Sequence, residues 1–191
     1  MKKSALLLLL ILGINSSAHA ANALISLSDH SALMRFNLWV GGQSFGRSEA
    51  GMGLLFNDSD SYMVEGAFHV IDEVGTKVPG LVFGLGAKAY GGTNPDADVL
   101  ALGVGGSFNY SIPGANRVFI GVDAYGAPPI VTGLDADWFW EWAAIIGYKV
   151  LQDQADVYIG YREYGAKLKE GQGGGVERFD STPRLGIRIM F

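Results

Sequence analysis

Apolar residues recur at every second position through most of the chain, in runs of roughly ten residues separated by turn-forming clusters. Met34, Phe36, Leu38 and Val40 form one row, and Met52, Leu54 and Phe56 the next. Tyr62, Val64, Phe68 and Val70 follow, then Leu81, Phe83, Leu85 and Ala87. Leu100, Leu102, Val104, Phe108 and Tyr110 precede Val118, Ile120 and Val122. Trp138, Trp140, Trp142, Ala144, Ile146 and Tyr148 make the longest row, and Ala155, Val157, Ile159 and Tyr161 come after it. In the last row Leu185, Ile187, Ile189 and Phe191 alternate with Arg184, Gly186, Arg188 and Met190. Side chains alternate faces along a strand, so each run predicts a strand with one apolar face.

The opposite parity is rich in glycine: Gly51, Gly53, Gly84, Gly86, Gly103, Gly105, Gly121, Gly147, Gly160 and Gly186. Glycine weakens strands, so its accumulation on one face asks for a reason, and the crowded inside of a narrow closed barrel supplies one. A soluble barrel would turn its apolar face inward and show water Lys, Glu and Asp on the other, not Gly and Ala. The pattern therefore predicts an all-β, single antiparallel transmembrane barrel with its apolar rows toward lipid. Strands of such barrels carry an even count, and ten are expected, the first over about Ala23–Ser28; merging two pairs would give eight. Ser111–Ala115 and Val150–Asp153 read as tight turns, whereas Gly91–Asp98, Ala127–Ala136 and Lys169–Ser181 read as longer outer loops. The aromatic Phe191 closing a strand of Leu185, Ile187 and Ile189 reads as the assembly signal of an outer-membrane barrel.

The first residues agree. Met1-Lys2-Lys3, an apolar stretch dominated by Leu6–Leu12, and Ala18-His19-Ala20 have the order of a cleaved signal peptide. Residues 1–20 are expected to be removed and residues 21–191 to form one barrel domain in the outer membrane of a Gram-negative bacterium. Removing Lys2 and Lys3 leaves 12 basic against 19 acidic residues, a formal charge of −7. An acidic chain without Lys/Arg clusters argues against nucleic acid as a partner. There is no cysteine, so neither disulfides nor thiolate metal ligation enter.

Charges gather on the inward parity: Arg35, Glu65, Lys88, Asp123, Glu141, Arg162 and Arg188 toward the middle, with Lys149, Asp156 and Arg184 nearer the rims. A four-residue turn closed by Lys149 and Gln154 places Glu141 opposite Arg162, and a hairpin centred on Thr76-Lys77 places Glu65 opposite Lys88. Both are expected as interior ion pairs. They read either as a solute-selecting lumen or as filling of a narrow interior, and the width of so small a barrel favours filling. His69 is expected inside as a polar lumen residue, and Phe139 shares that face. Trp138, Trp140 and Trp142, with Tyr62, fit an aromatic girdle at one membrane interface, and Tyr110, Tyr148 and Phe191 a girdle at the other.

Catalysis finds little support. Only His30 and His69 come after the leader; His69 shares its face with Glu65 and Ala67, and no serine sits at a recognisable position beside it. No His/Asp/Glu spacing suggests a metal site, and the Gly-rich spacings lie inside strands, so no nucleotide fingerprint is present. No enzyme activity, cofactor or metal is expected.

Several stretches resemble the YfaZ family of outer-membrane proteins. They are Ser44-Phe45-Gly46, Leu85–Tyr90 continued by Thr93-Asn94-Pro95, Ala101–Phe108, Gly147-Tyr148, and Val157–Arg162. Trp138–Trp142 and Gly173–Gly175 depart from that pattern. The resemblance implies the location and the barrel, and no reaction. The expected function is porin-like or barrier-type, with a narrow lumen of glycines and ion pairs. The alternatives are a closed structural or adhesion barrel acting through its outer loops, and a lipid-modifying enzyme. Expected partners are outer-membrane lipids and lipopolysaccharide, with periplasmic chaperones and the barrel-assembly machinery during biogenesis.

Overall fold

The computed structural model describes residues 21–41, 46–74, 78–152, 154–172 and 174–191. The expected signal peptide, Ser44-Phe45, the Thr76-Lys77 turn centre, Asp153 and Gly173 lie outside the described residues. The strands are β1 (Ala21–Leu27), β2 (Ser31–Gly41), β3 (Arg47–Asn57), β4 (Tyr62–Glu73), β5 (Leu81–Thr93) and β6 (Asp98–Ser111). They continue as β7 (Val118–Ala127), β8 (Thr132–Leu134), β9 (Ala136–Leu151), β10 (Ala155–Leu168) and β11 (Val176–Met190).

Each strand pairs antiparallel with its neighbour, β5 pairs with β6, and β1 pairs with both β2 and β11, so the sheet closes on itself. The wall has ten staves, because β7 and β8 share one: β7 pairs with β6 over Val104–Ser111, and β8 takes up the same strand over Val99–Ala101. Between them Pro128 and Pro129 open a short 3-10 turn through Val131. Proline has no N–H to give the ladder, so the stave breaks there and bulges outward. This bulge stands where a long outer loop was expected. The other expected loops are shorter, since β5 runs on to Thr93 and β11 already starts at Val176.

The apolar rows face outward. Leu85, Leu100, Val104, Ile159 and Leu185 are each more than half exposed, as are Met52, Val64 and Phe68. A belt of this extent does not stay bare in water, whereas lipid covers it. Fold and surface define an outer-membrane-type β-barrel.

The glycines explain how the inside is filled. Inward glycines stand directly opposite bulky inward residues on the next strand: Gly53 opposite Glu65, Gly86 opposite His69 and Gly105 opposite Tyr125. Gly147 stands opposite Phe119, and Gly186 opposite Tyr158. A β-carbon at Gly147 would meet the Phe119 ring, and one at Gly186 the Tyr158 ring. One strand gives up its side chain so that its partner's can lie across the lumen.

Candidate functional site

The interior divides into three levels. At the end carrying the Ser28–His30 and Asp58–Ser61 links, here the far end, the lumen is apolar and filled. Leu33, Leu55, Met63, Val99, Phe139, Tyr164 and Phe179 are buried in one cluster. Tyr90 and Phe139 stack with ring centroids 4.5 Å apart, and Tyr90 meets Tyr164 edge-on at 6.5 Å. Beside them the Arg184 guanidinium donates to the Ser26 and Ser31 hydroxyls at 3.0 and 2.9 Å and pairs with Asp180 at 2.5 Å.

At mid-height six charges form one network. Glu141, 1 % exposed, is its centre. Its carboxylate accepts from Arg35 Nη2 at 2.6 Å, Lys88 Nζ at 2.9 Å and the Tyr90 hydroxyl at 2.7 Å. It also accepts from Arg162 Nη1. Arg35 grips Glu65 through Nε and through Nη2, the latter at 2.8 Å, and the Tyr164 hydroxyl donates to Glu65 at 3.1 Å. Arg162 Nη2 donates to Asp123 at 3.2 Å. Three cations balance three carboxylates, which is what keeps buried charges tolerable.

Below the network, toward the end that holds Ala21 and Met190, lies a cavity of about 340 Å³. Asn22, Asn37, Glu49, Asn109, Asp156 and Arg188 line it, and Arg35, Lys88, Asp123 and Arg162 reach it from the network. Arg188 Nε donates to Asp156 at 3.0 Å. His69 also lines it, bonded to the Tyr125 hydroxyl at 2.9 Å, and Lys88 Nζ lies 4.2 Å over the Tyr125 ring. Among the described residues no serine or carboxylate bonds to His69, and no group of three His, Cys, Asp or Glu is placed to hold a metal.

The expected registers need correction. Glu141 faces Tyr164 in the ladder and Arg162 faces Ala143, two residues away from the expected pairing. The turn is the cause: Leu151 pairs with Ala155, three residues beyond the expected closure, and a bulge between Ala155 and Asp156 takes back one of the three. Glu141 and Arg162 still meet, diagonally. Glu65 faces Tyr90 and Lys88 faces Ala67, again two residues off. There the ion pairing itself differs: Glu65 bonds Arg35, and Lys88 bonds Glu141 across the lumen. Contacts across the barrel, invisible to hairpin arithmetic, outcompete the neighbouring strand.

Tyr90, Tyr125 and Tyr164 were missed as site residues. They lie on the inward parity with Lys88, Asp123 and Arg162, and that parity was the signal for them. On the outside, Trp138 and Trp142 are exposed at the far end, Trp142 stacks on Tyr161 at 5.1 Å, and Trp140 Nε1 donates to Glu163 at 3.0 Å. Tyr110 and Tyr148 lie near the opposite end, where Arg117 sits 6.0 Å from the Tyr148 ring, and Phe36 lies 6.4 Å from Phe191. Leu185, Ile187 and Ile189 are exposed on the outer wall.

No family model matches the chain, and no curated protein does. Solved structures resemble it in fold. One chain, from "Unveiling the Mechanism Behind the in-meso Crystallization of Membrane Proteins", aligns with a TM-score of 0.50 at 10% identity, over 91% of this chain and 83% of that one. KdgM porin in complex with disordered oligogalacturonate aligns with a TM-score of 0.46 at 11% identity, over 91% and 99%. KdgM porin aligns with a TM-score of 0.45 at 10% identity, over 91% and 99%. At such identities the likeness is one of architecture.

Proposed function

We propose that the protein is a porin-like outer-membrane barrel of the barrier type. It carries a polar cavity open at the terminal end and blocks passage with its own strand side chains in the far half. One observation carries this reading: Leu33, Met63, Phe139, Tyr164 and Phe179 are each at most 2 % exposed. A continuous water path would expose some of them. An even-stranded barrel puts both ends of the chain in the periplasm, so the cavity faces the periplasm and the filled half faces outward. The activity is non-enzymatic: the six charges of the mid-height network are spent on one another. Assembly through periplasmic chaperones and the insertion machinery belongs to the same reading, supported by the exposed apolar row of Leu185, Ile187 and Ile189.

Swelling of vesicles holding the refolded barrel in small sugars tests it. Swelling no faster than in protein-free vesicles, and faster with Phe139→Ala, is expected; rapid swelling with the unaltered chain overturns the reading. A second reading, an adhesion barrel acting through its outer segments, is favoured by Ile130, which is 91% exposed on the bulge between β7 and β8. Deleting that bulge would then abolish attachment while leaving swelling unchanged.

A further inference from the structure

On the outer wall, β9, β10 and β11 carry a strip whose chemistry changes with depth. At the far end, Lys167 is paired in register with Val176, and Gly165 with Arg178. Lys167 and Arg178 are therefore diagonal neighbours on one face, their side chains starting about 7–8 Å apart. Both are exposed; Arg178 Nε lies 3.7 Å from Glu163, and among the described residues no carboxylate comes within 4 Å of the Lys167 ammonium. Glu163 is already engaged by Trp140 Nε1 at 3.0 Å. Two cations thus stand at the level of the tryptophan girdle against one carboxylate, which is near Arg178 alone and already accepts from Trp140.

One step deeper, Tyr161 stacks on Trp142 and its hydroxyl bonds the Ser181 hydroxyl. Tyr161 pairs in register with Ala144 on one side and Pro183 on the other. Both partners are short, so the wall is dented beside the ring. The dent is a shallow, open groove bounded by Ile146, Ile159 and Leu185. From cations to polar girdle to apolar groove, the strip matches the order of an acylated lipid.

We propose that this strip is a binding site for a phosphorylated, acylated lipid of the outer leaflet. Its phosphate lies between Lys167 and Arg178, and one acyl chain lies in the groove beside Tyr161. Charge complementarity selects the headgroup: a neutral lipid leaves the cations unused, and inorganic phosphate leaves the groove unused. The site rests on the barrel spanning a membrane, and not on its lumen being closed.

The test uses the barrel purified from bacterial membranes in mild detergent, with retained lipid read by native mass spectrometry. The probes are lipid A and lipid A with its phosphates removed. Lipid A is expected to be retained about tenfold or more over its dephosphorylated form, the worth of one charge-assisted contact. Lys167→Gln with Arg178→Gln is expected to abolish that preference, and Ala144→Leu, which fills the groove, to weaken retention of lipid A. Heat-shifted gel migration confirms that each variant is folded. Equal retention of the two lipid A forms by the unaltered chain overturns the site without relying on any variant. So does undiminished lipid A binding in either variant.

Discussion

Tyr90 and Phe139 touch across the lumen, ring centroids 4.5 Å apart, although their strands β5 and β9 are separated in the wall by β6 and the β7–β8 stave. The contact bridges the two intervening staves with strand residues alone. Because Phe139 is fully buried, Phe139→Ala is expected to cost about 3–5 kcal/mol by cavity formation. Urea unfolding of the refolded barrel in lipid vesicles measures this, and a loss below about 1 kcal/mol would mean the ring does not pack as described.

Glu141 is the acceptor that three cations share. Glu141→Ala leaves Arg35, Lys88 and Arg162 with Glu65 and Asp123 alone, and breaking a buried ionic cluster in this way costs about 3–5 kcal/mol. Asp123→Asn is expected to cost less, since that side chain is 31% exposed to the cavity. The comparison of unfolding midpoints checks the order. Equal losses would contradict a network centred on Glu141.

Gly147 gives its space to Phe119, so Gly147→Leu is expected to hinder folding, by at least the roughly 1–3 kcal/mol typical of overpacking. Gly66 faces open space, and Gly66→Ala is expected to change stability by no more than about 0.5 kcal/mol. Folded yield by heat-shifted migration separates the two. A normal yield for Gly147→Leu would show that Phe119 can move aside.

His30 lies in the β1–β2 link, outside the membrane-spanning strands, with Nδ1 2.9 Å from Asp58 and Nε2 3.1 Å from Asp29. Its hydrogen bond to Asp58, and the charges of Asp29 and Asp58, hold its pKa above the usual 6.5. A raised pKa means that the contact with the β3–β4 link is fully present below pH 6.5 and is lost as pH rises through the folded value. Titration of the His30 ring protons by NMR is expected to show a midpoint above 6.5 that falls in Asp58→Asn. A midpoint unmoved by that substitution would contradict the pairing.

Alternation encodes the face on which a side chain lies, and that much of the barrel was legible in the sequence. The row Leu185, Ile187, Ile189 and the glycines at Gly53, Gly86 and Gly147 obey a period of two, which side-chain geometry enforces on any strand. Register was not legible, because it depends on where each turn closes: Leu151 pairs with Ala155 where Lys149 and Gln154 were expected to close the turn, and the β4–β5 pairs run two residues off without any bulge. Lys88 chose Glu141 over Glu65 for a reason only the closed barrel supplies, since the two meet across the lumen. The inward tyrosines were legible in principle: Tyr90 and Tyr164 alternate with the wall-facing residues beside Lys88 and Arg162, and the same parity buries them. The break at Pro128 and Pro129 was visible as a loop, but its resumption as β8 depends on the free edge of β6 beside it.

Planar-bilayer conductance of the refolded chain, beside Phe139→Ala, tests the closed lumen most directly. A silent membrane containing correctly folded barrels, with unitary steps appearing only in Phe139→Ala, is the expected result. Reproducible steps from the unaltered chain would contradict it.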